Sequence, residues 1–156
     1  MVLVDRRVAS SRRSPVLKEG SPSRSSAEAE SVGTSPLVLV VDDIEDSRLL
    51  YAEAFADAGY RVEQATNGQE ALDTIANTKP ALVLMDLSMP VLDGWEATRR
   101  IKGQPTTADV VVIAVTGHGT HLGHRMAIDA GASIVLSKPC VPQDVLACAS
   151  KLLGAS

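Results

Sequence analysis

The stretch ALVLMD, residues 81–86, is a short apolar run ended by a single acid. A run of this length with polar boundaries reads as a strand buried on both faces, and such strands belong to parallel sheets covered by helices. Four more short runs of the same kind occur, LVLVV (37–41), RVEQA (61–65), VVVIAV (110–115) and SIVL (133–136). Helical windows lie between and after them, at about 46–58, 68–77, 94–102, 120–130 and 141–153. Asp46 and Asn67 stand where N-caps are expected, and Gly59, Gly103 and Gly131 where helices should stop. Strand and helix thus alternate five times, which predicts an α/β fold: a doubly wound parallel sheet with helices on both faces.

The remaining composition fits one such core. The chain has 156 residues, the size of a single domain, and no repeat at a solenoid or propeller period. Hydrophobic residues make up 45% but aromatic ones only 3%, so the core is expected to be built from Val, Leu, Ile, Ala and Met. The longest apolar stretches, 37–41 and 81–85, fall far short of the roughly 20 residues that cross a bilayer. Arg6 and Arg7 are followed by no apolar run, so the start does not read as a secretory signal and a cytoplasmic location is expected. Cys140 and Cys148 fall in the region of the last helix without metal-type spacing, and read as reduced thiols with a packing role.

Residues 1–36 differ from the rest. They are rich in Ser, Arg, Pro, Gly, Ala and Glu with no apolar periodicity, and a disordered tail is expected there, with the folded domain over 37–156. The tail holds six Lys/Arg against four Asp/Glu, whereas residues 37–156 hold nine against fifteen. An acidic folded part argues against nucleic-acid binding, which needs clustered cations for phosphate contacts.

In an open doubly wound sheet, ligands bind just beyond the carboxyl ends of the strands. The residues that follow the apolar runs are Asp42 and Asp43, Asp86, Thr116, and Lys138 with Pro139. Three carboxylates, a hydroxyl and an ammonium therefore converge on one edge. Clustered carboxylates repel one another unless a cation compensates, and hard oxygen ligands of this kind suit Mg²⁺. A carboxylate beside a metal can attack phosphorus and become an acyl phosphate. Asp86 stands alone on the central strand and is the expected nucleophile, while Asp42 and Asp43 form a pair suited to the metal. Lys138 would meet one phosphoryl oxygen as a point charge and Thr116 would donate to another.

The segments LVLVVDDIEDS, LVLMDLSMPVLDGWE, VIAVTGH and IVLSKP resemble those of response-regulator receiver domains, with the likeness covering residues 37–153. The resemblance implies a flavodoxin-like (βα)₅ fold with strand order 2-1-3-4-5, and phosphotransfer from a sensor histidine kinase or a histidine phosphotransfer protein. It implies that Asp42, Asp43 and Asp86 hold Mg²⁺, helped by the backbone carbonyl of Ser88. It also makes Asp86 the phosphorylated residue and assigns Thr116 and Lys138 to the phosphoryl group. Pro90 and Gly94 match the turn after the phosphorylation site, and the Lys138–Pro139 bond matches one that is usually cis.

Two positions depart from that pattern. Val135 stands three positions before Lys138, where relatives usually carry the aromatic that turns inward on activation, so any switching is expected to act through Thr116, the loop after it and the helix at 120–130. Cys140 stands where relatives often have Phe. The loop TGHGTHLGH places His118, His121 and His124 at three-residue intervals. With no fourth ligand nearby, it reads as a solvated loop rather than a zinc site, with His118 at the mouth of the phosphorylation site. Trp95 is expected to pack at the start of the third helix, and Val145, Ala149 and Leu152 to form the inner face of the last one.

Because the chain stops soon after the fifth helix, the expectation is a single-domain regulator with no DNA-binding or enzymatic output domain, acting on its own phosphate only and signalling to a target protein of unknown identity. A haloacid dehalogenase-like phosphatase would instead need its nucleophile after the first strand with a second Asp two positions on, and that position is Ile44. A scaffold that no longer takes phosphate is the third reading, and the complete acid set argues against it.

Overall fold

The computed structural model describes residues 35–89, 92–117 and 121–154. Nearly all of the expected tail, Pro90, His118 and the side chain of His121 lie outside the described residues. Ten elements alternate in chain order: β1 (Leu37–Val41), α1 (Glu45–Asp57), β2 (Arg61–Ala65), α2 (Gly68–Thr78), β3 (Leu82–Asp86), α3 (Gly94–Gly103), β4 (Val111–Thr116), α4 (His121–Ala130), β5 (Ile134–Ser137) and α5 (Pro142–Leu152). All strand pairs are parallel and the order is β2-β1-β3-β4-β5, as expected.

The period-2 geometry of a strand sends alternate side chains to opposite faces. Leu39 and Val41 join Val83, Met85, Ile75, Ala97, Ile101 and Ala127 in one core. Val38 and Val40 join Leu82, Leu84, Phe55, Val145 and Ala149 in the other. Aromatic residues contribute more than composition suggests, since Phe55 is fully buried and Tyr51 nearly so, with Phe55 and Tyr60 edge to face at 5.4 Å. Emptying the Phe55 site by truncation to Ala costs about 3–5 kcal/mol by precedent for buried aromatics. On α5, Val145 and Ala149 are buried as expected but Leu152 is exposed.

Several boundaries differ from the sequence reading. β3, β4 and β5 each begin and end one residue later, because hydrogen-bonded pairing continues past the apolar run: Asp86 pairs with Val115, and Thr116 with Ser137. Asp86 and Thr116 are thus the last residues of their strands rather than the first residues after them. The N-cap of α1 is Ile44, not Asp46, because the Asp42 carboxylate already accepts the Ile44 amide at 2.9 Å. Asp46 instead sits in the first turn with Glu45, where negative charge favours the helix dipole. Asn67 caps α2 as expected, accepting from the Glu70 amide at 2.8 Å.

Gly59 and Gly131 follow their helices with φ of 101° and 116°, the left-handed region that stops a helix at low cost in glycine. Gly103 is instead the last residue of α3. Cys140 precedes α5 rather than lying in it, and both thiols are half-buried and unbridged. Among the described residues, no helix is long and apolar enough to cross a membrane.

Candidate phosphorylation site

The carboxyl ends of β1, β3, β4 and β5 bring the expected residues to one edge. Asp42 directly follows β1, and its side chain is committed to the turn by accepting the Ile44 amide. Its main-chain carbonyl accepts Arg48 Nη1 at 3.1 Å, so the first turn of α1 holds the acid loop from the other side. Asp86 ends β3, and its Oδ1 accepts the Ser88 amide at 3.1 Å. Asp42 and Asp86 are buried while Asp43 is exposed, and one carboxylate oxygen from each lies within 4.8 Å of the others.

Lys138 enters this cluster from the segment after β5. Its Nζ is 3.4 Å from Asp42 Oδ2 and 3.6 Å from Asp86 Oδ2. The backbone places it there, with the Lys138 N–H donating to the Thr116 carbonyl at 2.8 Å, and the Lys138–Pro139 bond is cis as expected. Thr116 is fully buried at the end of β4. Gly94 opens α3 against the site: its amide donates to the Leu87 carbonyl at 3.2 Å, and a Cβ there would collide with the Asp86 carbonyl and lie 2.7 Å from Leu87 Cα. Only glycine permits that approach.

Burial pushes the Asp86 carboxyl up to about 6, and the neighbouring Asp42 and Asp43 push the same way, while the Ser88 amide and the Lys138 ammonium pull it down. Three carboxylates facing one ammonium leave an excess of two negative charges. A hard divalent cation answers both the charge and the oxygen donors, so these residues fit Mg²⁺.

Some contacts around the site were not anticipated from sequence. Tyr51 of α1 donates its hydroxyl to the Cys140 carbonyl at 2.7 Å. His124 falls in the helical window expected at 120–130 and lies within α4, but instead of facing solvent in a loop its Nε2 is 3.2 Å from Ser137 Oγ. Trp95 packs at the start of α3 as expected, and its indole N–H also reaches the Gly123 carbonyl of α4 at 3.3 Å. None of these pairs has a local sequence signal, since their partners are 13 to 89 positions apart.

Residues 38–150 match the response regulator receiver domain family, and the chain belongs to it. It is 42% identical over 106 residues to protein-glutamate methylesterase/protein-glutamine glutaminase 3 of Hahella chejuensis, covering 67% of this chain and 30% of that protein. It is 34% identical over 110 residues to the phosphate regulon transcriptional regulatory protein PhoB of Pseudomonas aeruginosa, covering 70% of this chain and 48% of that one. The chain therefore spans less than half the length of these relatives. Among solved structures, a CheY-like receiver domain protein from Methanospirillum hungatei superposes with a TM-score of 0.74 at 26% identity, covering 78% of this chain and 95% of that one. The chemotaxis response regulator CheY4 of Vibrio cholerae gives 0.72 at 28%, covering 76% and 99%. Receiver domains accept phosphoryl groups from histidine kinases or phosphotransfer proteins and bind Mg²⁺ at an acidic cluster, and this chain has such a cluster in Asp42, Asp43 and Asp86.

Proposed function

We propose that this protein is a single-domain response regulator that takes a phosphoryl group on Asp86 from a phosphohistidine donor and signals by phosphorylation-dependent binding to a target protein in the cytoplasm. The observation that carries the reading is the meeting of Lys138 with Asp42 and Asp86 at 3.4 and 3.6 Å, beside a third carboxylate within cation-sharing distance. Mg²⁺ held by Asp42, Asp43, Asp86 and the Ser88 carbonyl would neutralise charge on the incoming group. An Asp86 oxygen attacks phosphorus, the O–P bond forms as the donor's N–P bond breaks, and the leaving imidazole takes a proton from solvent. Lys138 and Thr116 contact the transferred oxygens, the first by charge and the second by its hydroxyl.

All ten described elements belong to the receiver fold. The two relatives named above carry different activities in their names, an esterase/glutaminase and a transcriptional regulator, yet share this stretch. The proposed output is binding to a target, with no DNA-binding domain and no chemistry beyond the protein's own phosphorylation and dephosphorylation. Incubation with Mg²⁺ and acetyl phosphate, followed by intact-mass measurement, tests it. One added phosphoryl group, absent in Asp86→Asn and absent without Mg²⁺, is the expected result. No addition from acetyl phosphate or from any phosphohistidine donor would favour a scaffold role instead.

A further inference from the structure

Tyr51 reaches the segment that carries Lys138 from the helix that follows the acid pair. Its ring is buried in the core beneath α1 and α5, and its hydroxyl lies 2.7 Å from the Cys140 carbonyl and 3.3 Å from Cys140 Sγ. Burial, then the contact with Cys140, holds the phenol above its ordinary range, so it remains a donor. The same segment is anchored upstream by the Lys138 amide on the Thr116 carbonyl at 2.8 Å. Three residues, Lys138 to Cys140, are thus pinned at both ends, and the Lys138 side chain leaves from the first of them toward Asp42 and Asp86.

We propose that Tyr51 is a positioning residue for Lys138: its hydroxyl, bonded to the Cys140 carbonyl, fixes the backbone from which the ammonium reaches the phosphoryl group on Asp86. The inference rests on the reading of Asp86 as the acceptor. It gives a specific role to the chain's departure at Cys140, because the small side chain there leaves room for the phenol to bond the backbone. It also predicts an asymmetry. The carboxylates hold the cation, whereas Lys138, the counter-charge to Asp42 and Asp86 in the metal-free site, competes with the metal and adds to the grip on the anion, so loss of the Tyr51 hydroxyl weakens anion binding without weakening the metal. General support for the fold would affect both.

The full-length protein is titrated by calorimetry, first with Mg²⁺ and then, at saturating Mg²⁺, with beryllofluoride as a phosphoryl mimic. Wild type, Tyr51→Phe and Tyr60→Phe are compared, the last removing a hydroxyl remote from the site. Tyr51→Phe is expected to bind beryllofluoride about three- to tenfold more weakly, the range for one net hydrogen bond, with its Mg²⁺ affinity undiminished. Tyr60→Phe is expected to match wild type in both titrations. Unchanged beryllofluoride binding in Tyr51→Phe, or a parallel loss of metal and anion, would overturn the positioning role. Failure of the wild type itself to bind beryllofluoride would overturn the assignment of Asp86, a separate result visible before any Tyr51 variant is compared.

Discussion

Thr116 and Ser137 stand opposite each other in register at the carboxyl ends of β4 and β5. Ser137 Oγ is in turn 3.2 Å from His124 Nε2 on α4, and α4 is tied to α3 by the Trp95 indole on the Gly123 carbonyl. With Val135 at the usual aromatic position, the β4–β5 pairing and the Ser137–His124 contact would give movement at Thr116 a route to α4 that needs no ring rotation. Beryllofluoride with Mg²⁺ is therefore expected to change Trp95 emission in the wild type. In Ser137→Ala that change is expected to shrink while beryllofluoride still binds. An unaltered emission change in the variant would remove Ser137 from the route.

The acidity of Asp86 sets a stability profile. Its folded value of about 6 lies above the ordinary 3.8, so the native state binds this proton more tightly than the unfolded chain does. The resulting stabilisation is complete below about 3.8 and is lost as the pH rises through about 6. At neutral pH the ionised carboxylate then destabilises the metal-free protein by on the order of 2–3 kcal/mol. Asp86→Asn is expected to melt several degrees above wild type at neutral pH in chelator, with the gap closing in acid. Adding Mg²⁺ raises the wild-type melting temperature and narrows the gap from the other side. Coincident melting curves for the two proteins in chelator across this range would contradict the assignment.

Two glycines at opposite ends of α3 make a paired test of packing. A methyl group at Gly94 has no room against Asp86 and Leu87, whereas at Gly103 nothing lies within 4 Å. Gly94→Ala is expected to cost about 1–3 kcal/mol, as overpacking does, and to slow phosphorylation because the displaced backbone carries Asp86. Gly103→Ala is expected to be neutral or to stabilise by a few tenths of a kcal/mol to about 1 kcal/mol, since Ala restricts the unfolded chain and favours the helix. Chemical denaturation of both variants measures the contrast, and equal effects would show that the space around Gly94 relaxes.

The strands and the site acids are legible in sequence because they depend on local pattern: apolar runs set the strands, and strand ends set the edge, whereas the strand order follows only from the resemblance to receiver domains. What local pattern misses is where a polar group spends its hydrogen bonds. Asp46 looks like a cap, yet Asp42 takes the Ile44 amide and moves the helix start. The Asp93 cap of α3 has a readable signal in Asp93 and Glu96, where the carboxylate accepts the Glu96 amide at 2.9 Å, but glycine at position 94 draws attention to a turn instead. α2 is capped just past its last residue by Lys79 with φ of 44°, a left-handed residue without the glycine that normally announces one. The ties from Tyr51 to Cys140 and from His124 to Ser137 exist only once the sheet has closed, and no spacing rule reaches across that distance.

Asp42 and Lys138 meet across 96 positions of chain, the first leaving the earliest strand and the second following the last. A nascent polypeptide emerging from the ribosome therefore has the acid pair well before it has the lysine that, under the proposed function, would contact the phosphoryl group. Under the proposed function, competence to hold the phosphoryl group would arrive only after the final strand, and a half-made or clipped copy lacking that segment would lack the Lys138 contact.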